Sequence, residues 1–237
     1  MSTAMIVLAG GSGSRMDPSM NKVYRTVGNR SVLAYSLDTF ERASLVDRVV
    51  LVVRPGDRPR AAASMAEVSM VKRCSMVDGG ASRQESEIAG LEALASEIES
   101  GQIELVAIHD GARPFATLDL IDSLFVEAGR RGGAIPAVPV EETLYRAIDG
   151  YAIPLPTGAL ARVQTPQVFA AGPLLAAYRA AARVGFNGFD TAETMERFST
   201  VTVGVVAGDV RNIKLTISGD FALAEELAHR WKAGRWE

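Results

Sequence analysis

Cysteine is almost absent from this 237-residue chain. Cys74 stands alone, so no intrachain disulfide can form, and in the mixed stretch KRCSM it reads as a strand filler rather than a nucleophile. Histidine is nearly as scarce. His109 and His229 together offer little to a zinc-type metal site. An excess of either charge is missing too: 25 Lys and Arg against 28 Asp and Glu leave a net −3. That excludes nucleic-acid binding through a bulk basic field, but it leaves room for a local cationic cluster that receives a small anion. Long apolar runs are also lacking, since MIVLA (Met5 to Ala9) is about a quarter of what a membrane span needs. With no charged leader ahead of a long apolar core, the expectation is a soluble, cytoplasmic protein.

The composition supplies an apolar fraction of 48%, ample for one sizeable core. Short apolar runs recur, each followed by a helical pattern. MIVLA precedes a glycine loop, and SVLAYSLDTFERA then places Leu33, Leu37 and Phe40 at helical intervals. RVVLVV is a continuous β-branched run, as expected of a strand covered on both faces. After a strand closing in SMVDGG, the segment SRQESEIAGLEALASEI aligns Ile88, Leu91, Leu94, Ala95 and Ile98 on one stripe, with Ser82 or Arg83 near its start. IELVAIHD reads as a strand, TLDLIDSLFVEAG as a helix capped by Thr117, and GAIPAVPV as a strand. Helical PLLAAYRAAARV, strand TVTVGVVAG, short strand NIKLT and helix DFALAEELAHRW complete the chain. Such alternation predicts an α/β protein with a Rossmann-like, mainly parallel sheet and helices on both faces. Residues 139–163 break the pattern with Pro, Gly and alternating residues, and read as a projecting β-arm on a single domain spanning 1–237. An arm of this kind suits self-association, with an active-site flap as the other reading.

The stretch LAGGSGSRM follows the first strand, where α/β sheets bind ligands. Glycines there let backbone N–H groups approach oxyanions, and Arg15 adds a fork of charged donors. Neither common nucleotide motif fits: GxGxxG lacks its third glycine, and the P-loop GK[ST] is absent. Glycine content by itself leaves a phosphate cradle and an ordinary turn both open.

The wider pattern is more specific. LAGGSGSRM with Asn21-Lys22 downstream resembles the L/A-A-G-x-G-x-R-M…P-K signature of sugar-nucleotide pyrophosphorylases and cytidylyltransferases, with Asn21 in place of the proline. DGGASRQES, HDGARPF, QTPQVF and NIKLT resemble, in order, four further blocks: GG-x-x-R-x-x-S, H-D-x-A-R-P, Q-T-P-Q-x-F and N-I-K-x-T. The chain therefore resembles the 2-C-methyl-D-erythritol 4-phosphate cytidylyltransferase family, which also holds ribitol-5-phosphate cytidylyltransferases.

That resemblance implies the nucleotidyltransferase fold, a homodimer, and transfer of CMP from CTP to a polyol phosphate with release of pyrophosphate. Such chemistry needs in-line positioning of two anions and stabilisation of charge around a pentacoordinate phosphorus. The resemblance assigns Arg15 and Lys22 to transition-state stabilisation and Lys214 to orienting the incoming phosphate. It gives the nucleotide to Leu8, Ala9, Gly10, Gly11, Ser12, Gly13, Gly80, Arg83 and Ser86, with Gly111 leaving room for the ribose. Asp110, at a strand end, is the candidate for holding Mg²⁺, which favours phosphate oxygens and few carboxylates. The attacking phosphate is already ionised, so His109 is expected to be a packed or hydrogen-bonding residue and not a base. Arg113 is a candidate to tie its loop down, and His229 is expected at the surface.

On the acceptor side, the resemblance points to Thr143, Thr165, Asp190 and Lys214. Three departures fall here. Glu142 to Tyr145 stand where the family has D-T-x-K, Thr157 stands where it has an arginine, and Phe189-Asp190-Thr191-Ala192 replace T-D-D-A. Arg162 is a neighbouring cation on another face of an extended strand. The preferred acceptor is methylerythritol phosphate, with ribitol 5-phosphate as the alternative and a non-catalytic nucleotide-binding protein as a second. A glycosyltransferase would want a D-x-D metal pair, and only Asp110-Gly111-Ala112 stands at that place.

Overall fold

Eight strands share one sheet in the computed structural model, which describes residues 2–11, 20–155 and 160–236. The chain enters on β1 (Ser2–Leu8) and passes through a 3-10 turn (Lys22–Tyr24) and a small hairpin, β2 (Thr26–Val27) and β3 (Arg30–Ser31), into α1 (Val32–Arg42). β4 (Arg48–Val53), α2 (Arg58–Ala66), β5 (Arg73–Asp78), α3 (Arg83–Glu92), α4 (Ala95–Glu99) and β6 (Ile103–Asp110) follow. α5 (Leu118–Arg131) runs directly into β7 (Gly132–Pro139), and the hairpin of β8 (Tyr145–Ile148) and β9 (Tyr151–Pro154) precedes β10 (Ala161–Val163). β11 (Gln167–Ala170), α6 (Ala171–Arg183), α7 (Thr191–Phe198), β12 (Thr202–Ala207), α8 (Gly219–Ala228) and a final hairpin of β13 (Trp231–Lys232) and β14 (Arg235–Trp236) close the chain.

The strand order is β10-β7-β11-β6-β1-β4-β5, with β12 on the other edge of β7. β1 is parallel to both β4 and β6, β4 to β5, and β7 to β12; only β10 and β11 run against their neighbours. Because successive strand residues face opposite sides, β1 splits its side chains between two cores. Met5 and Val7 pack with Leu33, Leu37 and Phe40 of α1 and with α5. Ala4 and Ile6 pack with Leu91, Leu94 and Ile98 and with α6. The sheet is thus covered on both faces, which is why RVVLVV is apolar throughout.

Local chemistry sets the helix starts. Ser31, Ser82 and Thr117 each accept a backbone N–H of the first turn, from Ala34, Glu85 and Leu120 at 3.3, 3.1 and 3.2 Å. α5 ends at Gly132, whose φ of 90° is the left-handed cap that glycine adopts without strain. Cys74 is a half-buried residue of β5, and burial pushes its thiol up to about 11, leaving it an inert strand residue.

Three expectations need correction. The single stripe from Ile88 to Ile98 is two helices, because the chain tightens into a turn at Ala93 and Leu94, where the Leu94 N–H bonds the Leu91 carbonyl. NIKLT is not a strand: no ladder reaches it, and Leu215 N–H bonds the Ala112 carbonyl across a loop contact instead. The chain also continues past α8 into a hairpin that stacks Trp231 and Trp236 on Phe115, an element with no periodic signal. Within residues 139–163 the described structure holds the β8–β9 hairpin, and every residue of its two strands is exposed. No helix of the described residues is long and apolar enough to cross a membrane.

Candidate active site

Strand order creates the cleft. From β1 the chain builds outward to β4 and β5, then returns to place β6 on the other side, so the loops leaving β1 and β6 part company at the carboxyl edge. A cavity of ≈ 450 Å³ opens there. It is lined by Leu8, Gly10 and Gly11 after β1, Asn21, Lys22 and Val23 of the 3-10 turn, Arg54 after β4, Gly80 to Arg83 and Ser86 after β5, Asp110 and Ala112 at β6, and Lys214. Two glycines shape the wall. A Cβ on Gly80 would collide with Glu85, and one on Gly79 would lie 2.8 Å from Ser86 Oγ.

Asp110 is the electrostatic centre. Its carboxylate ion-pairs with Arg83 Nη1, with Lys214 Nζ at 2.7 Å and, more loosely, with Arg113 Nε at 3.9 Å. Burial acts to raise its pKa, but Arg83, Lys214 and Arg113 outweigh burial and hold the carboxyl well below the usual carboxylate range. Arg83 is shared with a second acid, since Glu87 Oε1 lies 3.0 Å from Arg83 Nη2. Glu87 is almost wholly buried, and it accepts from Tyr178 Oη at 2.7 Å and Thr191 Oγ1 at 2.9 Å. Arg83 Nε is buried with no hydrogen-bond partner among the described residues.

Lys214 reaches the cleft on a loop, and buried side chains fix that loop. Arg113 Nη1 donates to the Asn212 carbonyl at 2.7 Å, and Asn212 Nδ2 donates to the Thr165 carbonyl at 2.9 Å. Arg113 is therefore the tie it was expected to be, and the loop it restrains is the one carrying Lys214. His109 lies beneath Asp110, fully buried. Asp110 N–H donates to Thr165 Oγ1 at 3.0 Å, which turns the threonine proton toward His109 Nδ1 at 3.2 Å. His109 Nε2–H in turn donates to the Arg113 carbonyl at 3.0 Å. A neutral ring with its proton on Nε2 satisfies this chain.

Burial pulls the His109 pKa down to about 4. The unfolded chain takes up this proton near pH 6.5 while the native ring does not, so stability is lost as pH falls from about 6.5 toward 4, by about 2–3 kcal/mol at pH 4.5. Urea unfolding at pH 7 and 4.5 is expected to show that loss in the parent and a smaller one in His109→Gln, whose amide can donate and accept without titrating. Equal losses in the two proteins would contradict the neutral-ring assignment.

Of the residues expected from sequence, Leu8, Gly10, Gly11, Lys22, Gly80, Arg83, Ser86, Asp110 and Lys214 meet in this one cleft. Ser12, Gly13 and Arg15 lie outside the described residues, as does Thr157. Ala9 is fully buried behind the cleft, its N–H on the Val52 carbonyl at 2.8 Å. Gly111 sits where β1 and β6 end. Its N–H bonds the Leu8 carbonyl at 2.9 Å, and a Cβ would meet that same oxygen, so glycine here permits β1 and β6 to end side by side. Thr165 is spent beneath Asp110 and is 3% exposed. Asp190 caps α7 through the Glu193 N–H at 2.9 Å and accepts from Gln167 Nε2 at 3.0 Å, so both its oxygens are engaged inside the protein. Thr143 is exposed at the base of the arm, away from the cleft lining. Sequence reasoning passed over Arg54 and Glu87, and took Asn21 only as a departure from the motif's proline. Arg54 was signalled by its place just after a β-branched strand; Glu87 carries no such signal, because its burial comes from Tyr178 of α6 and Thr191 of α7.

Comparison with known proteins bears on what this arrangement is. The family model for IspD, 2-C-methyl-D-erythritol 4-phosphate cytidylyltransferase, matches residues 3–230. The enzyme of that name from Geobacillus kaustophilus is 39% identical over 229 residues, covering 96% of this chain and 97% of its own. That from Geobacter metallireducens is 37% identical over 227 residues, covering 95% and 97%. Among solved structures, the 4-diphosphocytidyl-2C-methyl-D-erythritol synthase of Anaerococcus prevotii superposes with a TM-score of 0.84 at 28% identity, covering 97% of this chain and 96% of its own. The Thermus thermophilus 2-C-methyl-D-erythritol 4-phosphate cytidylyltransferase gives 0.74 at 28% identity, with 94% and 98% covered. Cleft, topology and sequence agree, and the chain belongs to the IspD family of 2-C-methyl-D-erythritol 4-phosphate cytidylyltransferases.

Proposed function

We propose that this protein transfers CMP from CTP to 2-C-methyl-D-erythritol 4-phosphate, a step of isoprenoid precursor synthesis. The observation that carries the reading is the convergence of Lys22, Arg83 and Lys214 on one cleft at the switch point of the sheet. A triphosphate and a phosphate monoester repel each other, and converging cations are what the pair needs. One oxygen of the acceptor phosphate attacks the α-phosphorus of CTP, the bond from that phosphorus to the β-phosphate bridging oxygen breaks, and pyrophosphate leaves in line. No proton has to be removed from the nucleophile, which agrees with a buried, neutral His109 facing away from the cleft. Lys22 lines the cleft with Gly10 and Gly11 and takes the charge that grows on the transferring phosphoryl group; Lys214 orients the acceptor. Gly80, Ser86 and Leu8 form a close backbone frame that suits a pyrimidine.

Among the described residues no group of three or more His, Cys, Asp or Glu could hold a metal. Among the described residues Asp110 is the only carboxylate lining the cleft, and one carboxylate is what Mg²⁺ needs when phosphate oxygens and water complete its shell. Bound there it would neutralise charge on the triphosphate. Self-association through the arm belongs to the same reading: Tyr145, Ile148, Tyr151 and Ile153 are exposed on the hairpin, and a second copy covering them would bring Thr143 toward a neighbouring cleft.

A pyrophosphate-release assay with CTP and Mg²⁺ tests the reading against both acceptors. Turnover with methylerythritol phosphate is expected, with kcat/KM for ribitol 5-phosphate lower by about two orders of magnitude. Equal turnover of the two, or CTP binding with no turnover of either, would contradict it.

A further inference from the structure

Asn21 is 1% exposed, yet it lines the cleft beside Lys22. Its Nδ2 donates to the Ala9 carbonyl at 2.6 Å, and its Oδ1 accepts the Val23 N–H at 3.3 Å. Ala9 is a fixed point, since its own N–H is bonded to the Val52 carbonyl of β4. On the other side, Val23 and Tyr24 are buried in the core, and the Tyr24 N–H bonds the Asn21 carbonyl at 3.0 Å. One carboxamide thus ties the end of β1 to the 3-10 turn that presents Lys22.

We propose that Asn21 is a positioning residue that sets Lys22 in the cleft by fastening its turn to the end of β1. The chemistry is specific to an amide. The Ala9 oxygen demands a donor and the Val23 N–H an acceptor, and aspartate would set a carboxylate against the carbonyl. The backbone explains why a proline can occupy this place in the resembling motif. Asn21 has φ −64° and ψ 127°, and φ near −65° is what a proline ring imposes. Proline fixes the entry to the turn through its ring; asparagine fixes it with two hydrogen bonds.

This inference rests on the cytidylyltransferase reading for what Lys22 does, so the test has one readout that needs no ligand. Asn21→Ala, Asn21→Asp and Asn21→Pro are compared with the parent by kcat with CTP and methylerythritol phosphate, by CTP calorimetry, by melting temperature and by amide exchange at Val23. The alanine and aspartate variants are expected to lose about 10- to 100-fold in kcat, as slight misplacement of a reacting group does, and to exchange the Val23 amide faster. The proline variant is expected within about threefold of the parent in kcat, since it restores the backbone angle. A merely structural clamp would lower the melting temperature of the variants while the folded enzyme kept the parent's kcat; that result overturns the proposal, as does a proline variant as slow as the alanine one. Unchanged Val23 exchange in Asn21→Ala would overturn the clamp itself. A parent that binds no CTP would instead sink the functional reading, and with it the role given to Lys22. Should Asn21→Ala fail to fold, Asn21→Ser, which keeps an acceptor for Val23 but cannot reach Ala9, supplies the same comparison.

Discussion

Asp110→Asn is expected to lose about 3–5 kcal/mol of stability together with most of its activity, because one substitution removes a buried carboxylate that three cations face. Arg83, Lys214 and Arg113 all face this carboxylate, and Arg83 and Arg113 are themselves largely buried. Asparagine keeps the shape and the strand-end hydrogen bond to Thr165 but leaves Lys214 and Arg113 without this carboxylate and Arg83 with Glu87 alone. The sign of the pH dependence follows from the depressed pKa. The stabilisation is complete above the unfolded carboxylate's pKa of about 4, and it disappears only as pH falls through the native value far below that. Parent and variant therefore differ fully at pH 7 and converge only in strong acid. For a chain of this size the loss at neutral pH corresponds to a melting temperature lower by about 10 °C. Turnover falls for a separate reason: Lys214 and Arg83 lose the carboxylate that holds them at the cleft. Equal melting temperatures at pH 7 would show that Asp110 is not the centre of this ion-pair set.

Lys22→Ala is expected to separate activity from stability in the opposite way. Lys22 is half-buried and lines the cavity, while the neighbours that anchor its turn, Val23 and Tyr24, belong to the core. Removing the ammonium leaves that anchoring intact, and a substitution of this type costs within about 0.5 kcal/mol, or about 2 °C in melting temperature. The loss in kcat/KM is about 10²–10³, the range seen when one preorganised charge or donor is taken from a transition state. Steady-state pyrophosphate release and a thermal melt on the same preparation check both halves. A variant that melts normally and turns over at the parent's rate would remove Lys22 from the mechanism.

Periodicity carried the architecture a long way. The β-branched run at Arg48 to Val53 read as a doubly covered strand, and Leu33, Leu37 and Phe40 do pack on one face of the sheet. Those signals are local, set by which side of a strand or helix is apolar. What periodicity could not show depends on contacts distant in sequence. Lys214 lies on a loop because Arg113 and Asn212 hold that segment to the end of β6, and nothing within NIKLT distinguishes this from a strand. Thr165 and Asp190 are polar residues in a family-like motif, and their internal partners, the Asp110 N–H and the first turn of α7, come from segments distant in sequence or from the fold of the next helix, which the motif does not show. Glu87 illustrates the converse. Its burial depends on Tyr178 and Thr191 arriving from two later helices. The part of the cleft lining after β1 was legible because glycines, a strand end and a lysine are close together in sequence there. The acceptor side was not, because its candidates are scattered over the second half of the chain.

A crystal structure with CTP and Mg²⁺ tests the central claim most directly. The account predicts the base against Gly80 and Ser86, and triphosphate oxygens within about 3 Å of Lys22 Nζ and of backbone N–H groups after β1. Nucleotide lodged instead in the groove between α3 and α6, or a cleft left empty at saturating CTP, would contradict it.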